Sequence, residues 1–492
     1  MSESYKKQKV KGRKPLIINF FEHAAPNHQN PVNESTNYNK ISYWTKLAQI
    51  AERGKINSIF IGDVLGGYDV YQGPRSLKGA AKAAAQFPTN EPSQVISAMA
   101  AVTENLAFGV TFSTISEHPY HFARRIATLD HLTEGRVGWN VVTSYLDSAA
   151  RNLLNGSDLP GYKERYERAH EYVQVVYELL LSSWRDDAVT KNLERKQYAD
   201  SKLIREIGFE GKFFNVSGPQ ITEPSPQRLP VIIQAGSSPP GQNLGAQIAE
   251  VIFIGSNTPQ GLKSTIDTVK SLAHEKFNRD PDSIKFIAGL QVIVSPTHEE
   301  AVAKYNDLFK YADPEGVKAL IGGWTGINLD EFDDEDDLKK LSLDSERSSL
   351  KRLVSDVPGK VTKQDIVSKR LVTGSHPLII GTPKEVADEI EKWVDISGID
   401  GFNFAYSLWP GTFEDIVDLL IPELRFRGLA WDDYPVKGGT FRENLYGVKG
   451  QTFVPKDHSA YGYKWQSGVD QQDFENQLEQ HKELWRSKNS SS

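Results

Sequence analysis

The sequence predicts an α/β fold, a (β/α)8 TIM barrel with insertions. Eight short apolar segments of strand length alternate along the chain with amphipathic helical segments. Eight repeats of strand and helix are the number that closes a parallel barrel. An open doubly wound sheet would show the same alternation, but no GxGxxG fingerprint follows the first predicted strand. The missing fingerprint favours the barrel.

The predicted strands are short, continuous apolar runs, as expected for strands that are buried on both faces. They cover residues 16–21, 58–63, 106–114, 137–142, 229–234, 251–255, 284–295 and 401–406. Helical periodicity predicts the intervening helices, for example over residues 42–54, which end at a glycine. The strongest rhythm covers residues 163–184, where apolar or aromatic residues recur every three or four positions.

We expect one barrel domain over residues 15–435, preceded by a basic leader over 1–14 and followed by a C-terminal extension over 436–492. Segments without clear periodicity interrupt the barrel at about 64–90, 186–220 and 313–374. In the second of them, GKFFNVSGP predicts a hairpin. The third contains EFDDEDD, an acidic run typical of a solvated loop, for which we predict no functional role.

The composition is that of an ordinary globular protein, for which we expect small molecules or other proteins as partners. Hydrophobic residues make up 39% and charged residues 25% of the 492 residues. The net charge of −7 provides no drive toward nucleic acid or an anionic membrane. Because cysteine is absent, disulfides, thiolate zinc sites and cysteine nucleophiles are excluded. No apolar run of membrane-spanning length and no signal-peptide core occurs, so we expect a cytoplasmic protein.

Polar side chains recur at the carboxyl ends of the first four predicted strands. They are Asn19 or His23, Asp63, Thr111 or Ser113, and the group Asn140, Thr143 and Ser144. Each of them alone is more often a cap or turn residue. In a barrel, however, the carboxyl ends of the strands meet at one mouth, so the recurrence predicts a binding site there. A planar heterocycle with several donors and acceptors would suit such a site.

The segment QAGSSPPGQNLG, residues 234–245, leads from the fifth strand directly into a helix. Glycine lets the backbone approach an anion, and the helix N-terminus offers unpaired N–H groups and a positive dipole end. Ser237 and Ser238 add hydroxyl donors. A phosphate site and an ordinary serine-capped turn explain this pattern equally well.

Histidine is the usual general acid or base near neutral pH, and His23, His118 and His376 lie at the ends of predicted elements. His131 lies inside an amphipathic helix, where a structural role is more frequent. No HExxH motif and no paired spacing of histidine and carboxylate predicts a metal site. The residue pattern alone selects none of these histidines as catalytic.

The segment EHPYHFARRIATLDHLTEGRVGWNVVTSYLDSAARNL resembles the bacterial luciferase-like superfamily, in the branch of nitrilotriacetate, dibenzothiophene-sulfone and long-chain alkane monooxygenases. The resemblance continues, in the same order, through IGDVLGGYDVYQG, QFPTNEP, KERYERAHEY, GKFFNVSGPQITEPSPQR, QAGSSPPGQN, GTPKEVADEIEKW, DGFNF and FRENLYGVKGQ. It implies an enzyme that receives reduced FMN from a separate NAD(P)H:flavin reductase and uses O2 to oxygenate a small organic substrate. It also implies a homo-oligomer, a dimer or tetramer.

The resemblance assigns roles to individual residues. Together with Thr111 of the strand ends, the expected flavin contacts are Asp63, Asn140, Ser144, Tyr145, Tyr162, Tyr166, Ala235, Gly236, Ser237 and Ser238. Residues 235–238 would hold the flavin phosphate. His23, Tyr68, Gln86 and His376 would face the reacting side. Tyr162 stands where family members often have histidine, and tyrosine does not titrate near neutral pH.

Two other functions fit the same barrel, a deazaflavin-dependent oxidoreductase and a non-catalytic flavin-binding protein. The motif details favour FMN. An oxygenating flavin enzyme must keep water from its reaction. We therefore expect the insertions at residues 64–88 and 313–374 to close over the barrel mouth, as mobile lids do in other enzymes.

Overall fold

A computed structural model describes residues 14–25, 31–340, 353–354 and 359–489 of the chain. The strands in these residues are β1 Ile17–His23, β2 Ser58–Gly62, β3 Ala107–Ser113, β4 Val137–Val142, β5 Val189–Asn192, β6 Gln197–Ala199, β7 Phe209–Glu210, β8 Asn215–Val216, β9 Val231–Gln234, β10 Val251–Ile254, β11 Lys285–Val294, β12 Leu378–Gly381 and β13 Gly401–Ala405. The eight predicted strands are β1 to β4, β9 to β11 and β13.

These eight strands form a closed parallel barrel in the order β1-β2-β3-β4-β9-β10-β11-β13, and β13 pairs with β1. Closure confirms the predicted barrel and excludes the open sheet. A ninth strand, β12, was not predicted and pairs outside the ring with the second half of β11. The pairs β5–β6 and β7–β8 are small antiparallel hairpins. In the second, β8 lies within the predicted GKFFNVSGP segment and β7 lies directly before it.

Helices surround the barrel. Those in the described residues are α1 Ile41–Arg53, α2 Lys78–Ala83, α3 Ser93–Ala100, α4 Pro119–Leu132, α5 Asp147–Leu153, α6 Tyr162–Tyr177, α7 Pro239–Ile248, α8 Pro259–Glu275, α9 His298–Phe309, α10 Pro314–Thr325, α11 Lys363–Arg370, α12 Pro383–Ser397, α13 Gly411–Asp415, α14 Ile421–Phe426, α15 Phe441–Tyr446 and α16 Gln471–Asn489. π-Helical turns over Glu178–Ser182 and Ile416–Leu420 extend α6 and join α13 to α14. None of these helices is long and apolar enough to cross a membrane.

Short sequence signals explain where several helices begin. Ser238, Thr258 and Thr382 each accept a hydrogen bond from an N–H of the first helical turn, and each is followed by proline. Proline is suited to this position because the first helical N–H groups have no partner inside the helix. The caps of Ser238 and Thr258 fix helix starts shortly after the barrel strands β9 and β10, and the cap of Thr382 does so after β12, outside the ring.

The segment at residues 313–374 is not a simple loop. It contains α10 and α11, whose residues Val317, Ile321 and Ile366 form a separate apolar cluster with Leu329 and Leu338. The acidic run at residues 331–337 is largely exposed beside this cluster. The prediction of a solvated loop therefore holds for the acidic run alone, because the flanking residues carry enough apolar surface to fold.

Helix α15 closes the amino-terminal end of the barrel. Phe441 and Leu445 of α15 pack inside the ring against Ile17, Val231 and Val251, which are the first residues of β1, β9 and β10. With this end filled by apolar side chains, a ligand can enter at the carboxyl end of the strands, where TIM barrels place their sites.

Candidate active site

A cavity of about 820 Å³ opens at the carboxyl ends of the barrel strands. Its volume lies in the range of small-molecule sites. Apart from Tyr68, every predicted site residue lines it: His23, Asp63, Gln86, Thr111, Asn140, Ser144, Tyr145, Tyr162, Tyr166, Ala235, Gly236, Ser237, Ser238 and His376. Of the other strand-end residues, Ser113 and Thr143 also line the cavity. Asn19 lies deeper in the barrel, where its side chain is bonded to Ser58 and Asn403.

Asn140 presents a buried acceptor to this cavity. Its Nδ2 donates to Thr111 Oγ1 at 2.9 Å, and Thr111 donates to the carbonyl of Ile61 at 3.1 Å. These bonds fix the Asn140 amide, whose Oδ1 is buried without a hydrogen-bond partner among the described residues. The Oε1 of Gln234 is also unpaired, but it faces Gly245 of α7, on the outer side of the barrel wall. Because an unpaired buried acceptor costs free energy, the Asn140 oxygen fits a ligand that brings an N–H donor.

The turn over residues 235–238 is a tight cradle at the N-terminus of α7. Ser238 caps the helix by accepting from the N–H of Gly241 at 3.3 Å, and its Oγ lies 3.3 Å from the hydroxyl of Tyr166. A Cβ on Gly241 would lie 2.8 Å from that hydroxyl and 2.9 Å from the carbonyl carbon of Gly236. The turn thus packs closely only with glycine at position 241. The cap and the anion site predicted separately are compatible, since capping leaves other first-turn N–H groups available.

Arg165 was not predicted and is a prominent charged group of the cavity. It is 7% exposed and precedes Tyr166 on α6. Its Nη1 donates to the carbonyl of Ser144 at 2.6 Å, and its guanidinium lies 4.4 Å from the ring centroid of Tyr162. The cation therefore holds the segment directly after β4, and its stack with Tyr162 forms part of the cavity wall. Its place in the KERY motif, beside Tyr166, was the available signal.

Tyr68 lies behind the cavity wall and reaches it through hydrogen bonds. It is 1% exposed, accepts from the indole N–H of Trp324 at 3.2 Å, and lies 2.7 Å, oxygen to oxygen, from Tyr145. Its hydroxyl donates to Oε1 of Gln86. Indole nitrogen can only donate, so Trp324 leaves the Tyr68 proton directed at Gln86. Trp324 belongs to the 313–374 insertion, which we expect to close over the barrel mouth but in which the sequence predicted no individual site residue.

The chain of hydrogen bonds continues to His23. With Oε1 of Gln86 occupied by Tyr68, the amide Nε2 of Gln86 points at Nε2 of His23, 3.1 Å away. His23 then accepts at Nε2 and keeps its proton on Nδ1, which is bonded to the backbone of Gly62. Burial lowers the pKa of His23 to about 4, so the ring is neutral at pH 7. Each group in this network donates a hydrogen bond to the next, from Trp324 through Tyr68, Gln86 and His23 to Gly62.

Asp63 and His376 complete the cavity wall. Burial, together with repulsion from Glu91, raises the pKa of Asp63 to about 7 despite a hydrogen bond from the backbone of Val64. His376 packs edge-on against Phe21 with ring centroids 5.6 Å apart. Asp63 therefore exchanges a proton near neutral pH beside the cavity.

A family model described as luciferase-like monooxygenase matches residues 17–400. The dimethyl-sulfide monooxygenase of Hyphomicrobium sulfonivorans is 42% identical over 459 residues, which are 92% of this chain and 94% of the relative. The long-chain alkane monooxygenase of Geobacillus thermodenitrificans is 43% identical over 457 residues, 92% of this chain and 98% of the relative. The barrel also matches a crystal structure of riboflavin lyase with modified FMN and riboflavin.

That structure is 31% identical, with a TM-score of 0.84 over 92% of this chain and 100% of that chain. The family match covers most of the chain, and the barrel, its carboxyl-end cavity and the order of motifs agree with the resemblance in the sequence. The chain therefore belongs to the luciferase-like monooxygenase family.

Proposed function

We propose that the chain is the oxygenase component of a two-component system. It binds reduced FMN made by a separate NAD(P)H:flavin reductase and uses O2 to oxygenate a small organic substrate. One observation carries the proposal: a single cavity joins the buried acceptor of Asn140 to the Gly236–Gly241 cradle at the N-terminus of α7. A ligand that carries both a heteroaromatic ring with N–H groups and a phosphate would occupy both ends of this cavity.

Within the cavity, the two ends would divide the work of binding. The Oδ1 of Asn140 would accept from a ring N–H group, which relieves its unpaired burial. The residues of the 235–238 turn, with Arg165, would hold the phosphate by N–H groups, hydroxyls and positive charge. Reduced FMN, when bound, supplies the two electrons with which one oxygen atom enters the substrate while the other leaves as water.

On the reacting side, the chain presents neutral groups. His23 is uncharged at pH 7, and burial raises the pKa of Tyr68 well above its ordinary value. Tyr68 and Trp324 come from the two insertions expected to cover the mouth, and their hydrogen bond links these insertions. A neutral, internally bonded wall attracts less water than a charged one, which favours oxygen transfer over loss of the reduced flavin.

Isotope labelling tests the function. The full chain, supplied with reduced FMN by any flavin reductase, is incubated with candidate organic substrates under 18O2. We expect a product that carries one 18O atom and is not formed with oxidised FMN alone. A product labelled only from H2 18O would overturn the proposal, as would turnover that proceeds equally well without O2.

Two associations belong to the same proposal: transfer of reduced FMN from the reductase and assembly into a dimer or tetramer. The resemblance of the motifs supports both. Sedimentation of the purified chain alone measures its assembly. Sedimentation of the chain mixed with a flavin reductase shows whether the two proteins form a stable complex, which transfer of FMN by diffusion does not require.

A further inference from the structure

A second cavity, of about 380 Å³, adjoins the first. The residues that line both cavities are Phe21, His23, Gln86, Trp324, Ser375 and His376. These shared residues include three of the four predicted for the reacting side. A molecule in the second cavity would therefore meet the flavin cavity at the hydrogen-bonded wall of His23 and Gln86. Its volume suits a molecule much smaller than a flavin.

Most of the remaining wall is apolar. It combines small residues at the end of α2, such as Ala84, with Leu308, Val317, Leu320 and Leu371 from α9, α10 and the end of α11. Such side chains offer no hydrogen bonds and favour an apolar occupant, because apolar surface gains free energy when it leaves water.

The basic groups of this wall already have protein partners. Lys82 at the rim forms an ion pair with Asp313 at 3.6 Å. Arg370 donates to the carbonyls of Ile366 at 3.3 Å and of Leu353 at 3.4 Å. A carboxylate that entered the cavity would have to compete with these partners for either cation, and a buried charge without its own partner is strongly disfavoured.

The two acidic groups of the wall, Asp313 and Glu22, are also satisfied, and the partner of Asp313 is Lys82. Glu22 is fully buried, accepts from Tyr43 at 2.9 Å and from the backbone N–H of His23 at 2.8 Å. Burial raises the pKa of Glu22 to about 8, so it carries little charge at pH 7 and does not attract a cation. Gln291 donates its amide to Ser407 and to the carbonyl of Val372.

We propose that the second cavity binds the organic substrate, and that this substrate is an uncharged, largely apolar molecule. The inference rests on the proposed monooxygenase function, which defines what a substrate is. It disfavours a polyanionic substrate, because most of the described wall is apolar and because Lys82 and Arg370 already contact protein groups.

Two ligands with the same thioether sulfur test the substrate class. Diethyl sulfide is neutral, whereas thiodiglycolate carries two carboxylates at pH 7.5. Binding of each to the full chain is measured by isothermal titration calorimetry without flavin, and turnover with reduced FMN is measured separately. We expect diethyl sulfide to bind at least tenfold more tightly and to be oxygenated.

A filling variant tests the place. Leu320→Trp puts a larger side chain into the second cavity without touching the first. We expect at least a tenfold loss of diethyl sulfide affinity with unchanged FMN affinity. Leu272→Trp on α8, a half-buried leucine outside both cavities, is the matched control and should bind the sulfide as the wild type does.

Thiodiglycolate binding as tight as that of diethyl sulfide would overturn the substrate class. Sulfide affinity that is absent, or equal in wild type and Leu320→Trp, would overturn the site. Neither result affects the 18O experiment, which decides the monooxygenase function with any substrate that reacts. If the chain binds the sulfide selectively and Leu320→Trp abolishes this binding, the cavity assignment is supported. If the bound sulfide is then not oxygenated, that result counts against the monooxygenase function alone.

Discussion

At the scale of single residues, Arg165 combines two interactions that experiment can separate. Its guanidinium supports the carbonyl of Ser144 at the end of β4, and its charge lies in the cavity that holds the 235–238 turn. We predict that Arg165→Met weakens FMN binding by about 1.5–3 kcal/mol, the usual value of a hydrogen bond to a charged group. Riboflavin, which lacks the phosphate, should lose much less affinity. Fluorescence titration of both flavins measures the difference. Equal losses would mean that Arg165 acts through Ser144 rather than on the phosphate.

Asp63 should make the stability of the protein depend on pH. A folded-state pKa of about 7 lies above the ordinary value of 3.8, so the stability present at low pH is lost as pH rises from about 4 to about 7. Asp63→Asn removes this loss. We predict that the variant exceeds the wild type in unfolding free energy by roughly 1–3 kcal/mol at pH 8, with a smaller difference at pH 4.

Thermal unfolding at the two pH values measures the difference. Asp433, whose pKa is lowered to about 2 by hydrogen bonds from Lys437 and Lys55, provides a control of opposite sign. Asp433→Asn should lose stability at neutral pH and approach the wild type near pH 2. A pH-independent gain for Asp63→Asn would contradict the burial of an ionising group.

The same residues show what sequence can and cannot predict about a site. Asp63, Thr111 and Asn140 could be predicted, because barrel topology brings the strand ends together whatever the structure of the intervening chain. Arg165 was missed because helical periodicity marks the face of Tyr166, and an arginine one position away looks like a solvated charge. The hydrogen bond between Trp324 and Tyr68 joins residues 256 positions apart and leaves no local pattern.

At the scale of elements, the sequence did not predict α10. Of the unpredicted parts of the fold, this helix has the most influence on the site. Its glycine pair, Gly322 and Gly323, weakens the helical signal. A Cβ on Gly323 would overlap the ring of Tyr68, so glycine lets the helix approach this ring closely enough for Trp324 to reach the hydroxyl. The barrel strands were easier to predict, because burial on both faces requires continuous apolar runs, whereas three of the four residues of β12 are only half-buried.

The close contact between Gly323 and Tyr68 predicts the effect of adding one methyl group at position 323. Gly323→Ala should displace α10 from Tyr68, lower the melting temperature, and divert reduced FMN from substrate oxygenation to hydrogen peroxide. Gly322→Ala is the matched control, because its Cβ would meet its nearest neighbour, the backbone nitrogen of Tyr71, at 3.3 Å. Peroxide yield per reduced FMN and thermal unfolding are measured for both variants. Identical behaviour of the two would show that the contact with Tyr68 does not control coupling.

At the scale of the whole molecule, we propose that residues 436–489 fold together with the barrel as one cooperative unit. Arg442 of α15 and Glu250, directly before β10, are both fully buried, with N–O distances of 2.7 and 2.8 Å. Burial alone would raise the pKa of Glu250, but the charge and hydrogen bonds of Arg442 hold it below its ordinary value. Arg442 also donates to the carbonyls of Leu229 and Thr452, so it connects the extension to the base of the barrel.

Removal of one partner should therefore destabilise the entire domain. We predict that Arg442→Met costs about 3–5 kcal/mol of unfolding free energy, because it leaves a buried carboxylate unpaired. Addition of Glu250→Gln should recover part of the loss, and the loss in the single variant should shrink at pH 5, where Glu250 can take up a proton. Denaturant unfolding of the two single variants and the double variant forms the cycle. Additive losses in the cycle, or a separate unfolding transition for the extension, would contradict a shared cooperative unit. FMN affinity should be unchanged in the folded variants, because the pair lies at the end of the barrel opposite the cavity.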